Sequence, residues 1–248
     1  MWPFVTIAIV LVVLIVGFFV ADAAAKQYVT DRIRAQLVSS LGLPSSTGVG
    51  VDLGSGSILL QALSGKIDTV DVTVPKLSFG ELVGAATIHA TKVPIDTSKP
   101  LGTLSVTYSV DEKHVTALAA NLSGLGLDTV TLAAPEIVST TTFTILGAKI
   151  PIGLGLEPSA AKGQLVFTPS SIRVAGQSFN ATALRRSPVF GGLAKLLLEQ
   201  QPFCVAQYLP SALTLRSAKV VGHRLVAGFT ADGVALSGSG FSTNGSCS

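Results

Sequence analysis

The segment TLSVTYSV, residues 103–110, alternates apolar and hydroxyl side chains with a period of two. In an extended chain, Leu104, Val106, Tyr108 and Val110 therefore share one face, and the threonines and serines share the other. The same alternation recurs at residues 70–74, 165–167, 172–174, 213–215, 225–229 and 234–236. Strands that are apolar on one face and polar on the other are typical of antiparallel sheets. The sequence predicts a protein built largely from such strands.

The composition is low in charge. Of 248 residues, 17 are Lys or Arg and 14 are Asp or Glu, so charged residues make up 12% of the chain, whereas soluble domains average about 25%. The net charge of +3 is spread without a basic cluster, which argues against nucleic acid as a partner. A hydrophobic content of 48% excludes intrinsic disorder. An apolar, mildly basic chain favours a lipid partner.

An apolar run stands at the N-terminus. Residues 3–21, PFVTIAIVLVVLIVGFFVA, contain no charged side chain. As a helix they would extend about 28 Å, which is close to the hydrocarbon thickness of a bilayer. We expect residues 1–25 to be a transmembrane signal anchor, with residues 26–248 as one further domain. A cleaved signal peptide is the alternative, because residues 21–25 contain A-x-A patterns.

Two observations disagree about the side of the membrane on which this domain lies. Lys26, Arg32 and Arg34 follow the apolar run and no basic residue precedes it, which favours a cytoplasmic domain. Cys204 and Cys247 are the two cysteines of the chain, and an even count in an exported protein predicts a disulfide. Two unrelated buried thiols are the alternative. We give the disulfide more weight and expect a single-pass protein of the cell membrane with an extracytoplasmic, periplasmic domain.

Helical spacing follows at three places. Residues 26–41 repeat apolar side chains every four residues and end at Gly42, as a continuation of the apolar helix. Residues 111–122 and 187–201 predict two further helices between the strands. No linker separates two cores. The expected fold class is therefore α+β, with one elongated, strongly bent antiparallel sheet and helices on its apolar face.

The sequence contains no motif for catalysis or for metal binding. Its three histidines are far apart, and it lacks a nucleophile elbow, a phosphate-binding lysine loop and a dinucleotide-binding fingerprint. We expect no enzyme activity, no metal and no cofactor. Arg185 and Arg186 precede a helix start at Ser187-Pro188, where free N–H groups and a guanidinium suit a lipid headgroup. A solvated surface pair is the alternative.

Several segments match, in order, the pattern of one known family. They are the apolar N-terminal run, DRI at residues 31–33, LQALSGKI at 60–67 leading into VDV at 70–72, YLP at 208–210, LTL at 213–215 and DGVAL at 232–236. In these features the chain resembles the LmeA-like family of phospholipid-binding proteins from actinobacterial, mycobacterial-type cell envelopes. It departs from the family at residues 57–59, which read Ser-Ile-Leu where Pro-Phe-Leu is usual, and its cysteine pair has no counterpart in the pattern.

The resemblance implies a tubular lipid-binding-like fold, with an apolar groove that holds acyl chains and no catalytic residues. The candidate acyl-chain contacts are Leu60, Leu63, Val72, Val74, Leu77, Phe79, Val106, Tyr108, Phe167, Phe190, Leu193 and Leu197. It also implies that residues 26–248 form a lipid-binding domain supporting cell-envelope lipid or lipoglycan (lipomannan-type) assembly. Envelope glycan-assembly proteins would be further partners. The alternative function is a structural or scaffolding envelope protein that binds a protein partner.

Overall fold

The computed structural model of the chain describes residues 2–43, 48–79, 82–121, 129–145, 148–174, 177–180 and 201–247. The longer helices are α1 (Trp2–Ser40), α2 (Ile58–Leu63) and α3 (Glu112–Asn121); the short α4 (Ser239–Ser242) and a 3-10 turn (Ala206–Tyr208) lie near the C-terminus. The strands are β1 (Gly50–Asp52), β2 (Lys66–Phe79), β3 (Leu82–Pro94), β4 (Thr103–Asp111), β5 (Thr129–Ala133), β6 (Glu136–Ile145), β7 (Ala148–Ala161), β8 (Gln164–Val174), β9 (Gln177–Asn180), β10 (Gln201–Phe203), β11 (Thr214–Val221) and β12 (Arg224–Asp232).

Helix α1 runs without interruption through the apolar segment and the predicted amphipathic segment. Its last residue is Ser40, and the predicted stop residue Gly42 follows with a φ of +60°. The Leu43 N–H donates to Val38 O (3.0 Å) and the Gly42 N–H donates to Ser39 O (3.4 Å). This pair of bonds is a Schellman motif, which requires a left-handed residue that glycine adopts without strain.

The predicted membrane segment is described only in part. The structure does not describe the side chains of residues 3–13. The side chains of residues 14–20 are exposed. From Leu14 onward, over the described part of the chain, no helix is long and apolar enough to cross a membrane.

The strands form two open, mostly antiparallel sheets of six strands each, which confirms the α+β class. The first sheet has the order β1-β2-β3-β4-β12-β11, and the second has the order β10-β8-β7-β6-β5 with β9 paired to β8. In the second sheet, Ile137 lies opposite Leu156, and Leu154 lies opposite Ile172. Lys162 and Gly163 join β7 to β8 with φ values of 51° and 74°. This two-residue turn with both φ values positive matches the twist of the flanking strands.

The expectation of one sheet is therefore wrong. Alternation along a strand fixes which side chains share a face, but it carries no information about which strands are neighbours. Here short turns join β5 to β8 into a meander, whereas β12 pairs with the distant β4 in the other sheet. Helix α3 lies between β4 and β5 in the chain. Strands β1 to β4 before it belong to the first sheet, and β5 after it is the first strand of the second sheet in chain order.

The chain divides into two compact units. Unit 1 comprises Met1–Val74, Ile88–Leu104 and Asp232–Ser237; unit 2 comprises Pro75–Thr87, Ser105–Ala231 and Gly238–Ser248. The buried side chains of unit 1 are mostly apolar, and they include Leu53, Ile58, Val70, Val72, Val74, Ala90 and Leu101. The core of unit 2 contains what we call the Val130 cluster, consisting of Val130, Leu132, Ile137 and Val220.

The predicted disulfide is confirmed. Cys204 and Cys247 are bonded across a sequence separation of 43 residues. The bond lies within unit 2 and fastens the C-terminal tail to the segment that follows β10. The Asn244 side chain reinforces this attachment by donating to Gln207 O (2.9 Å).

Candidate lipid-binding regions

Three of the predicted lipid contacts lie on β2 and β4 in unit 2. Leu77, Val106 and Tyr108 are all half-buried, so each offers apolar surface that protein atoms do not fully cover. The Tyr108 hydroxyl lies 3.0 Å from both Leu77 O and Leu82 O, to which it donates. Its ring lies across Gly84, where an added Cβ would lie 2.9 Å from the ring carbon Cζ. Burial raises the pKa of the Tyr108 phenol.

Phe167 on β8 is a fourth candidate, and it packs against the Val130 cluster together with Val115 and Leu225. Helix α3 lies beside this cluster, and hydrogen bonds to β5 hold it there. The Thr116 hydroxyl donates to Val130 O (2.7 Å), and the Glu112 carboxylate accepts from the Leu132 N–H (2.7 Å). A helix thus lies on an apolar cluster between strands, as the sequence predicted for residues 111–122.

The candidates in unit 1 separate into two kinds. Val72 and Val74 on β2 are 4% and 1% exposed, so they belong to the closed core of that unit. Leu60 and Leu63 on α2 are 58% and 85% exposed. In α2 it is Ile58 and Gln61 that are buried, and the Gln61 Oε1 accepts from the Asp68 N–H (2.8 Å). Leu60 and Leu63 are thus apolar side chains that face away from the protein.

Asp22 connects helix α1 to helix α2. Its Oδ1 accepts from the Leu59 N–H (3.0 Å) and from the Ser57 hydroxyl (2.8 Å), which itself caps α2 by accepting from the Leu60 N–H. The hydrogen bond from Leu59, followed by that from Ser57, holds the pKa of the Asp22 carboxyl below its usual value. Lys26 donates to Gly54 O and Arg34 donates to Val49 O (3.0 Å) along the same helix. Asp22, Lys26 and Arg34 therefore attach α1 to the rest of unit 1.

A polar cluster in the second sheet was not predicted from the sequence. The Glu136 carboxylate accepts from Ser170 (2.6 Å), from Ser171 (3.0 Å) and from Arg173 Nη2 (3.0 Å). Burial acts to raise the pKa of Glu136, but these hydroxyls and the Arg173 charge outweigh it and hold the pKa below its usual value. The cluster fits over Gly155, where an added Cβ would lie 2.2 Å from the Ser171 Oγ. The signal that would have revealed it is the strand register, which sequence does not supply.

The remaining candidates lie outside what the structure describes. The backbone of Phe79 ends β2, but its side chain is not described. Phe190, Leu193, Leu197, Arg185 and Arg186 all fall within residues 181–200, outside the described residues. The structure thus brings Leu77 and Tyr108 together and packs Phe167 on the Val130 cluster, and it places Leu60 and Leu63 on α2 in unit 1.

Half-buried carbon surface suits hydrocarbon chemistry. Each methylene that leaves water for an apolar site contributes about 0.8 kcal/mol, so even part of an acyl chain supplies substantial binding free energy. The polar Glu136 cluster, in contrast, is occupied by its own internal hydrogen bonds. Among the residues that the structure describes, no three His, Cys, Asp or Glu side chains are grouped to hold a metal ion.

Comparison with known proteins gives one match. The model of a family described as LmeA-like phospholipid-binding matches residues 20–229, which is most of the chain. No curated protein and no solved structure gives a significant match.

Proposed function

The chain belongs to the LmeA-like phospholipid-binding family, and from this membership we propose that it holds one phospholipid by its acyl chains and does not chemically change it. The observation that carries the proposal is the match over residues 20–229, which includes both sheets almost completely. A phospholipid ligand also agrees with the composition, since the chain is low in charge and 48% hydrophobic.

Within this proposal, the acyl chains contact the half-buried apolar side chains of unit 2. Leu77, Val106, Tyr108 and Phe167 are half-buried. Val72 and Val74 are almost completely buried, so we assign them to packing within unit 1. Arg185 and Arg186 are proposed to hold the headgroup, because a pair of guanidinium groups matches a phosphate in charge and geometry. The strongly bent, tubular lipid-binding-like arrangement implied by the family is part of the same proposal.

We also propose that residues 3–21 anchor the protein in the cell membrane as a single helix. The support is the absence of charge over these residues, together with their place inside the unbroken helix α1. The Cys204–Cys247 disulfide favours an extracytoplasmic, periplasmic position for the rest of the chain, because disulfides persist in oxidising compartments. A role in lipid or lipoglycan (lipomannan-type) assembly of an actinobacterial envelope, with glycan-assembly proteins as partners, follows from the family resemblance alone.

Native mass spectrometry of the full chain, purified in mild detergent from the cells that express it, tests the binding function. Organic extraction of the same sample identifies what co-purifies. We expect close to one glycerophospholipid for each chain. Val106→Trp should lower this occupancy, since the larger ring takes up the surface that the lipid needs. Val221→Trp is the matched control, because Val221 is 51% exposed at the end of β11.

A chain that carries no phospholipid and takes none from vesicles would contradict the proposal, and it would favour the scaffolding function instead. Equal loss of lipid in the Val106→Trp and Val221→Trp variants would contradict the assignment of the site but not the binding function. Loss of anionic-lipid preference in Arg185→Ala plus Arg186→Ala would support the headgroup role, and an unchanged preference would remove it.

A further inference from the structure

Three exposed apolar residues, from two segments of the chain, lie beside one turn in unit 1. Leu60 and Leu63 are on α2, which ends one residue before the Ser64-Gly65 turn. The Ile95 N–H donates to Gly65 O (3.0 Å), which brings a third apolar residue beside the same turn. Their exposures are 58%, 85% and 53%. Single exposed apolar residues are ordinary, but a group at one end of a unit indicates a contact surface. We call Leu60, Leu63 and Ile95 the α2 corner.

The position of the α2 corner is fixed relative to helix α1. Asp22 is the first charged residue of the chain, and its carboxylate binds the first turn of α2 through Leu59 and Ser57. Residues 14–20, immediately before it, are apolar and exposed. The corner therefore lies beside the point at which α1 changes from apolar to charged. In a helix that enters a bilayer, this change marks the boundary between hydrocarbon and headgroups.

The charges around the α2 corner are mixed. Within five residues of its members along the chain, the exposed charged residues are Lys66, Lys92, Lys99, Asp68 and Asp96. The Asp96 carboxylate accepts from the backbone and side chain of Ser98 (3.1 and 2.6 Å). Three positive and two negative charges nearly cancel, and they give little attraction to an anionic surface. A membrane contact at this corner would depend on its carbon surface and not on anionic lipid.

A second copy of this chain is a poor occupant for the α2 corner. Stable protein–protein interfaces bury at least about 1,000 Å², which is far more than three side chains provide. A lipid leaflet needs no such area, because the helix that precedes Asp22 already holds the protein at the membrane. Each leucine that leaves water for the leaflet then strengthens this contact.

We infer that the α2 corner inserts its side chains into the outer part of the leaflet that α1 enters, and so forms a second membrane contact. This inference rests on the proposed anchor. In this inference Leu60 and Leu63 contact the bilayer, and they do not contact the acyl chains of the lipid held in unit 2. The second contact fixes the orientation of unit 1 on the membrane surface, since one helix alone would leave the unit free to rotate.

Depth measurement with a lipid-borne quencher tests the inference. Both native cysteines are in the disulfide, so an introduced cysteine is the one free thiol of the chain. We would label Leu60→Cys, Leu63→Cys and Ile95→Cys with an environment-sensitive fluorophore in the full chain. The variants are reconstituted into phosphatidylcholine vesicles containing a phosphatidylcholine with a quencher on its acyl chain. Val221→Cys is the matched control, because Val221 in unit 2 is as exposed as Ile95 (51% against 53%).

We expect the three corner labels to lose at least half of their fluorescence while the Val221→Cys label keeps nearly all of it. Addition of phosphatidylglycerol should not change this result. Corner labels that behave like the control in protein that floats with the vesicles would overturn the inference and leave the anchor intact. Protein that does not float with the vesicles would overturn the anchor and the inference together. Neither result bears on the lipid occupancy measured by native mass spectrometry.

Discussion

The α2 corner and the Val130 cluster contain the same kinds of residue in opposite environments. Leu63 in the corner is 85% exposed, whereas Leu132 in the cluster is 1% exposed. Both belong to segments rich in apolar residues, and each of these segments is followed by a turn. What differs is the neighbourhood: Leu132 lies between helix α3 and the strands of two sheets, and Leu63 ends a helix of six residues. Apolar residues in this protein therefore occur in at least two environments, which only the packing distinguishes.

The largest difference between the two regions should appear in stability. Leu132→Ala removes a fully buried side chain from the Val130 cluster, and we expect the free energy of unfolding to fall by about 2–5 kcal/mol. Urea unfolding of the full chain measures it. Val221→Ala, at an exposed position of β11, should change it by no more than about 0.5 kcal/mol. A loss below about 1 kcal/mol for Leu132→Ala would show that the cluster is loosely packed.

The polar cluster of the second sheet should contribute less and in a pH-dependent way. Glu136→Gln removes a carboxylate that accepts three hydrogen bonds, and we expect a loss of about 1–2 kcal/mol at neutral pH. The pKa of Glu136 is lower in the folded than in the unfolded chain. Its contribution is therefore complete above the unfolded-state pKa and is lost as the pH falls through the folded-state pKa.

Unfolding measured at a series of acidic pH values tests this dependence. The Glu136→Gln variant should lose less stability on acidification than the native chain does. Glu157→Gln, at an exposed position of β7 in the same sheet, serves as the control. If the two variants have the same pH dependence as each other, the three hydrogen bonds do not stabilise the folded state.

The attachment of α2 to α1 should have a local effect. Asp22→Ala removes the acceptor for the Leu59 N–H and for the Ser57 hydroxyl, so we expect several-fold faster hydrogen exchange in α2. Asp31→Ala removes an exposed carboxylate of α1 that pairs with Arg34, and exchange in α2 should stay unchanged. Unchanged exchange in the Asp22→Ala variant would mean that the α2 corner is held in place by other contacts.

The smallest effect is expected at the α2 corner itself. Leu63→Ser should change the free energy of unfolding by no more than about 0.5 kcal/mol, because the leucine contacts little of the protein. The same urea experiment measures it beside Leu132→Ala. A loss above about 1 kcal/mol would show that Leu63 packs against the protein, as Leu132 does, and would contradict the contrast between the two regions.

Local structure was the part of the fold that the sequence predicted best. The strand over residues 103–110 follows from its alternation, and Leu104 and Val110 are buried as expected. The end of α1 at Gly42 follows from the left-handed conformation that the last turn requires. The disulfide followed from the even count of two cysteines. In each case the signal lies within a few residues or in a single chemical pairing.

Sheet membership and exposure could not be predicted in this way. Glu136 meets Ser170, Ser171 and Arg173 because β6, β7 and β8 pair in one register, and residues 34 to 37 positions apart in the chain become neighbours only through that pairing. Leu60 and Leu63 were named as candidate lipid contacts under the family resemblance. A helix of six residues has no hydrophobic period long enough to say which face the protein covers.

A photoreactive phospholipid tests the central claim, that unit 2 holds a lipid, most directly. The full chain is reconstituted into vesicles that contain a phosphatidylethanolamine with a diazirine at the end of one acyl chain. After illumination the cross-linked peptides are identified by mass spectrometry. We predict adducts at two places: in unit 2 near Val106 and Phe167, from a held lipid, and at the α2 corner, from the bilayer. Adducts confined to helix α1 and the α2 corner would contradict the claim, because they would show a protein that touches the membrane without taking up a lipid.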